Sequence, residues 1–340
     1  MSASLLGAVF LSLLPAQLPT PSGLAIHELA ERDYRPAYLK LATGDLQKLN
    51  WRRHAYPWPV KLKCIGNSSG SYQRYWGSSP YFHMGLDMRA DAGSEVVASA
   101  GGKILGITNY EPGIDAYWEI AIQDEEGFIW QYHHIDHDSI PASIFEAWHS
   151  GTPIAAGVKL GEVFYWDDIS EGEHYHHIHV NIAGKDQVWI SPFQLLSPLE
   201  DHSAPEFVEV FLTQNGQSVE GNDVSGKYSI AAHVRDLVLS EKFYLPPHSL
   251  SYELDGGPST VVWRFDTLPG GSSNTDYVNS LFVPGLTCGD YECRRPILDL
   301  GFTKTPTQVF PTSAGKHHLK ITAKDFVGNT TTTNFDWNVN

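Results

Sequence analysis

Along most of this chain, apolar and polar residues alternate in short runs bounded by glycine, proline, asparagine and aspartate, and no stretch holds a helical period for long. That pattern predicts a mostly β protein with antiparallel sheets and little helix. Trp118 to Gln123 and Phe128 to Ile135 flank Asp-Glu-Glu-Gly and read as a hairpin. Further strands are predicted at Phe207 to Leu212, Tyr228 to Val234, Val261 to Phe265 and Ile297 to Leu300. The last pair is the clearest: His318 to Ala323 alternates, Asp325 to Asn329 turns, and Thr330 to Val339 alternates again. Between the two groups of strands, Ser197 to Pro205 is polar and proline-bounded, as linkers are. The layout expected is a leader at 1–25, an extension at 26–56 with a short helix ending near Gly44, a β domain at 57–199 and a second at 206–340. The second is expected to fold on its own and to be dispensable for chemistry.

Composition narrows the function. With 340 residues, 42% of them hydrophobic, the chain can bury two cores. A formal net charge of -16, with no clustered Lys or Arg, argues against nucleic acid or an anionic membrane as partner. Leu5 to Leu14 is too short an apolar run to span a bilayer but suits a secretory leader, which predicts export to a periplasmic or extracellular location. Cleavage after Ala16 or Ala25 fits equally, and no other segment reads as membrane-spanning. Cys288 and Cys293 flank Gly-Asp-Tyr-Glu and could close a small loop, which leaves Cys64 as a lone buried thiol. No further soft ligands lie near that pair to make a zinc ribbon. The chain is expected to be a monomer.

The chemistry concentrates in Glu173 to Ile182, where four histidines fall within six positions. By strand alternation His177 and His179 share one face while Ile178 and Val180 take the other. Upstream, His83 and Asp87 are separated by Met84-Gly85-Leu86, where the glycine permits a tight path that brings imidazole and carboxylate to one centre. Between these lies Tyr132-His133-His134, in which alternation puts Tyr132 and His134 together and turns His133 away. His176 is likewise expected to point away, and His137 and His174 to lie at strand ends.

The order His-x-Gly-x-Asp, Tyr-x-His, His-x-His resembles the M23 family of zinc metallopeptidases, the lysostaphin and LytM type of cell-wall endopeptidase, over about Pro57 to Leu196. Gly93 to Ile104 and Gly157 to Gly161 match that family's glycine-strand pattern, and Ile178-His179-Val180 stands where Leu-His-Phe is usual. The Leu-x-Ile-x-Ala-x-Asp-x-x-Gly-Asn ending of 319–329 resembles bacterial immunoglobulin-like domains. The resemblance implies an antiparallel M23 peptidase domain followed by an immunoglobulin-like β-sandwich, with zinc held by His83, Asp87 and His179. It also implies catalysis by His134 and His177. Three ligands leave zinc a position for water, whose proton a neighbouring imidazole can take. The function implied is an exported zinc endopeptidase that cuts peptide cross-links of peptidoglycan. Two other functions compete: a catalytically silent wall-binding or hydrolase-activating module, and a secreted adhesin working through 206–340.

Overall fold

The computed structural model describes residues 55–75, 79–184, 189–240, 242–268, 273–302 and 309–340. The predicted leader and the short helix ending near Gly44 lie outside the described residues. The chain is mostly β, as its alternation predicts. Strands β1 (Cys64–Asn67), β2 (Gly85–Arg89), β3 (Lys103–Asn109), β4 (Trp118–Gln123), β5 (Ile129–His133) and β6 (His177–Ala183) form one sheet in the order β1-β2-β6-β5-β4-β3. Every pairing along that order is antiparallel. The short strand β7 (Trp189–Ile190) extends the sheet from β6. The predicted hairpin is β4 and β5, and the nine-residue helix α1 (Ala142–Ser150) follows it.

This sheet has two different faces. Leu86, Met88, Ile120, Ile122, Trp130, Tyr132, Ile178, Val180 and Ile182 point into one apolar core. Removing that much apolar surface from water is the main force holding the sheet in register. The opposite face is polar, and it is the floor of the site described below.

Close approach of β2 to β6 depends on Gly85. A Cβ placed there would lie 2.2 Å from the Val180 carbonyl oxygen and 2.5 Å from Asn181 Oδ1, both on the strand that carries His177 and His179. Gly85→Ala is therefore expected to destabilise the protein by roughly 2–3 kcal/mol, the scale of overpacking in a tight interior. Urea unfolding would show this as a lowered midpoint, and an unchanged midpoint would mean that the strands part at no cost.

The second group of strands forms a two-layer sandwich. One layer contains β8 (Glu206–Gln214) and β9 (Ser229–Arg235). Its other layer is built on β10 (Ser249–Leu254) and β11 (Ser259–Arg264). Then come β12 (Thr267–Leu268), helix α2 (Ser273–Leu281), β13 (Ile297–Asp299), and the long hairpin β14 (Gly315–Lys324) and β15 (Thr330–Val339). The four-stranded layer ends β8-β9-β13, and the five-stranded layer contains β15-β14-β10-β11. Cys288 and Cys293 form a disulfide, and Cys64 is a buried free thiol.

The two units share buried side chains and a strand pairing. Tyr72, Phe82, Ala183 and Trp189 belong to the same buried cluster as the sandwich residues Trp263, Phe265 and Phe282. In return, Val238 and Leu245 fill the core under the first sheet. Strand β7 pairs with β12, so one sheet runs from the first unit into the second. The connection near 199–205 is thus a covalent link across a shared core, which its polar composition did not show.

Candidate metal centre

A row of polar side chains crosses the polar face of the sheet at one register. Asn67 on β1 is the partner of Asp87 on β2, Asp87 of His179 on β6, His179 of His133 on β5, and His133 of Glu119 on β4. Directly opposed residues on adjacent strands have their Cβ atoms about 5 Å apart, so each member of such a row can touch the next. His83 enters from the segment just before β2, and His177 lies two residues before His179 on the same face of β6.

The ligand atoms offered by His83, Asp87 and His179 lie within 4.8 Å of one another. Asp87 Oδ1 is 2.8 Å from His83 Nε2 and 2.7 Å from His179 Nδ1. Each ring has its other nitrogen committed. His83 Nδ1 donates to the carbonyls of Gly85 at 3.1 Å and Ser68 at 3.3 Å, and His179 Nε2 donates to Asn181 Oδ1 at 2.7 Å. With those protons so placed, the facing nitrogens present lone pairs to a carboxylate oxygen, which is repulsive unless a cation sits among them. Asp87 Oδ2 is held apart by donors, from Asn67 Nδ2 at 2.6 Å and the Tyr175 hydroxyl at 2.9 Å. Two imidazole nitrogens and one carboxylate oxygen, each oriented by a second hydrogen bond, fit zinc and do not fit calcium or magnesium, which prefer all-oxygen sets.

Two more imidazoles stand beside this group. His177 Nε2 is 3.7 Å from Asp87 Oδ1, and its Nδ1 donates to the Tyr175 carbonyl at 2.7 Å. His134 Nδ1 donates to the Ala116 carbonyl at 2.7 Å, and its ring centre is 4.6 Å from that of His177. Both rings therefore turn a basic Nε2 away from their backbone anchor. Burial, partly offset by Asp87, lowers the His177 imidazole to about 4. Burial and the neighbouring His177 hold His134 well below the usual imidazole range. Both are neutral near pH 7 and available to accept a proton.

The structure corrects the alternation assigned to Tyr132-His133-His134. Tyr132 points into the core and its hydroxyl accepts from the Ser99 N–H at 2.8 Å. His133, one residue on, points to the cleft: its Nε2 accepts from Asn181 Nδ2 at 3.3 Å and its Nδ1 lies 3.2 Å from Glu119 Oε2. Strand β5 ends there. His134 follows in a left-handed conformation, φ 66°, which breaks alternation and turns its ring to the same side as His133. His174 and His176 stack on each other outside the cleft, and His137 lies on Trp118.

The cleft measures about 480 Å³, and Tyr81, Tyr110, Tyr117 and Trp166 form much of its wall, joined by Tyr291 from the second unit. Burial pushes the Tyr81 and Tyr110 hydroxyls up, so they stay protonated and able to donate. Apart from Asp87 and the histidines, no charged side chain is among the lining residues described. The second unit also reaches the first-sheet row: Arg294 Nη1 donates to the Gly66 carbonyl at 2.5 Å and to Asn67 Oδ1 at 2.7 Å, fixing the asparagine that holds Asp87. Sequence reasoning missed Asn67, Glu119, His133, Tyr175, Asn181 and Arg294 as parts of this site. Only Asn181 carried a signal, since it continues the His177, His179 alternation by one step.

No protein-family model matches the chain, and no curated protein does. Among solved structures it is similar to Csd3 from Helicobacter pylori, with 20% identity, 39% of this chain and 33% of that one covered, and a TM-score of 0.29. It is similar to the catalytic domain of the prophage-encoded M23 protein EnpA from Enterococcus faecalis, with 19% identity, 35% and 80% covered, and a TM-score of 0.25. Lysostaphin is a third, with 15% identity, 64% and 80% covered, and a TM-score of 0.31. The chain thus spans a third of Csd3's length. At these identities and scores none of them assigns a function, and the reading that follows rests on the geometry of the cluster.

Proposed function

We propose that this chain is an exported zinc-dependent endopeptidase of the M23 type that hydrolyses peptide bonds in peptidoglycan cross-links. The observation that carries the proposal is the convergence of His83 Nε2 and His179 Nδ1 on one oxygen of Asp87, with two anchored imidazoles beside it in an open cleft. His83, Asp87 and His179 would hold the metal. Bound there, zinc lowers the proton affinity of water and polarises a peptide carbonyl. The chain's own residues supply the rest. His177 Nε2 takes a proton from the attacking water and returns it to the leaving amine, while His134 Nε2 accepts a hydrogen bond that orients the water. With Nδ1 anchored, neutral His134 cannot donate to a developing oxyanion from Nε2; that donation falls to a hydroxyl of the cleft wall such as Tyr110. Walls that among the described residues are tyrosine and tryptophan without charged groups suit an extended peptide with small, neutral side chains. The paired Cys288 and Cys293 fit an oxidising compartment outside the cytoplasm, in keeping with a leader at 1–25. The sandwich at 206–340 is read as an immunoglobulin-like module that completes the cleft wall. Acting as a monomer on the wall, the protein needs no nucleic acid and no membrane span.

The test combines metal content with product analysis. Purified protein should contain one zinc per chain, and His179→Ala should contain none. Peptidoglycans of different cross-link chemistry should release defined peptides, identified by mass spectrometry, with the wild type only. Stoichiometric zinc with no release from any wall would replace the enzyme by a binding module, and absence of zinc would remove the metal assignment.

A further inference from the structure

Away from the cleft, Asp201 in the connection between units, Asp236 just after β9 and Asp325 in the β14–β15 turn converge. One carboxylate oxygen of each lies within 4.8 Å of the other two. Asp325 is fully buried, Asp236 is 2% exposed, and Asp201 stands at the margin of burial, 9% exposed. Asp325 is well satisfied: Oδ1 accepts from the N–H groups of Val327, Gly328 and Asn329, and Oδ2 from Asn329 Nδ2. Asp201 Oδ1 accepts from the Ser203 N–H at 3.0 Å. Asp236 is different. Its Oδ1 takes the Leu237 N–H at 3.0 Å, but its Oδ2 is buried with no hydrogen-bond partner among the described residues. Among the described residues, the groups whose charge bears on Asp236 are the carboxylates of Asp325 and Asp201. Three carboxylates drawn together out of water repel one another, and an unpaired buried oxygen is costly by itself.

We propose that Asp201, Asp236 and Asp325 form a binding site for a calcium ion, with the unpartnered Asp236 Oδ2 as a ligand. The donors are all oxygens, which selects a hard cation and sets this site apart from the nitrogen-rich cluster in the cleft. Calcium is favoured over magnesium because the oxygens come from three separate segments in irregular arrangement, whereas magnesium demands near-octahedral order. The position gives the ion a task. Asp236 opens the loop that carries Val238 and Leu245 into the first unit's core, and the Val238 carbonyl accepts from the Ile65 N–H on β1. An ion among the three aspartates fastens the connection, that loop and the β14–β15 turn together, and so holds the sandwich against the sheet that bears the cleft.

The experiment is titration of the full chain with calcium chloride, followed by calorimetry and thermal unfolding. One equivalent of calcium should bind and raise Tm by several degrees, with a weaker response to magnesium. Asp236→Asn keeps the shape and should weaken calcium binding at least tenfold and abolish the rise in Tm. In calcium-free buffer the same variant should unfold above the wild type, because one of three repelling charges is gone. Asp201→Asn, at the least buried position, should repeat the loss of response. His179→Ala should keep the calcium response, which separates this site from the cleft. No binding or shift in the wild type, an Asp236→Asn protein that responds like the wild type, or an equal response to magnesium would each overturn the proposal.

Discussion

His177→Ala and His134→Ala should each keep a full complement of zinc and lose at least about a hundredfold in cleavage rate, the scale of removing acid-base assistance. Neither ring is within the 4.8 Å cluster of ligand atoms, yet His177 Nε2 stands 3.7 Å from Asp87 Oδ1 and the His134 ring packs against His177. Each is neutral and anchored by its Nδ1–H to a backbone carbonyl, so removing it takes away a base without removing a ligand. His133→Ala is the informative companion. Its Nε2 accepts from Asn181, and Asn181 holds the outer nitrogen of His179, so the variant should bind zinc about tenfold more weakly, the usual scale for a residue that orients a ligand. Zinc content, zinc affinity and turnover for the three variants side by side decide the matter. If His177→Ala or His134→Ala loses its metal, that residue is a ligand and the division of roles drawn above is wrong.

Those three histidines also show how far the sequence could be read. His177 and His179 followed from alternation, because β6 runs unbroken from His177 to Ala183 with Ile178, Val180 and Ile182 in the core. His83 and Asp87 were only a weak pair by their spacing around Gly85, and the family resemblance made them ligands; that glycine's lack of a side chain lets β2 lie against β6. Alternation misled at His133 and His134 because the strand stops between them, and a φ of 66° at a residue other than glycine leaves no mark in the sequence. Asn67, Glu119 and Arg294 were invisible for a different reason. Each joins the site through register or tertiary contact between distant segments, and a lone asparagine, glutamate or arginine in a short strand reads as surface until its partner strand is known. The sandwich was legible as strands, but the core it shares with the first unit was not. Phe82 and Trp189 are apolar residues like any others until the aromatic rings they meet are placed.

A chain ending at residue 205 should fail to form a soluble, zinc-binding fold, contrary to what the polar connection leads one to expect. Phe82 stacks on Trp263 with ring centres 5.6 Å apart and meets Phe265 at 6.1 Å, while Tyr72 meets Phe282 at 5.4 Å. Trp189 is 1% exposed and its strand borrows β12 as a partner. Truncation uncovers all three aromatic side chains at once, at roughly 1.5–3 kcal/mol each, or about 5–9 kcal/mol together. It also withdraws Val238 and Leu245 from the core beneath the cleft and removes Arg294 from Asn67. A single domain typically has about 5–15 kcal/mol of stability in total, so a loss on this scale leaves little or nothing. Size-exclusion chromatography, near-ultraviolet circular dichroism and zinc content of the fragment test this directly. A monodisperse fragment with native-like aromatic signals, one bound zinc and wall-cleaving activity would show that the shared core is an accessory contact and that the first unit carries its stability alone.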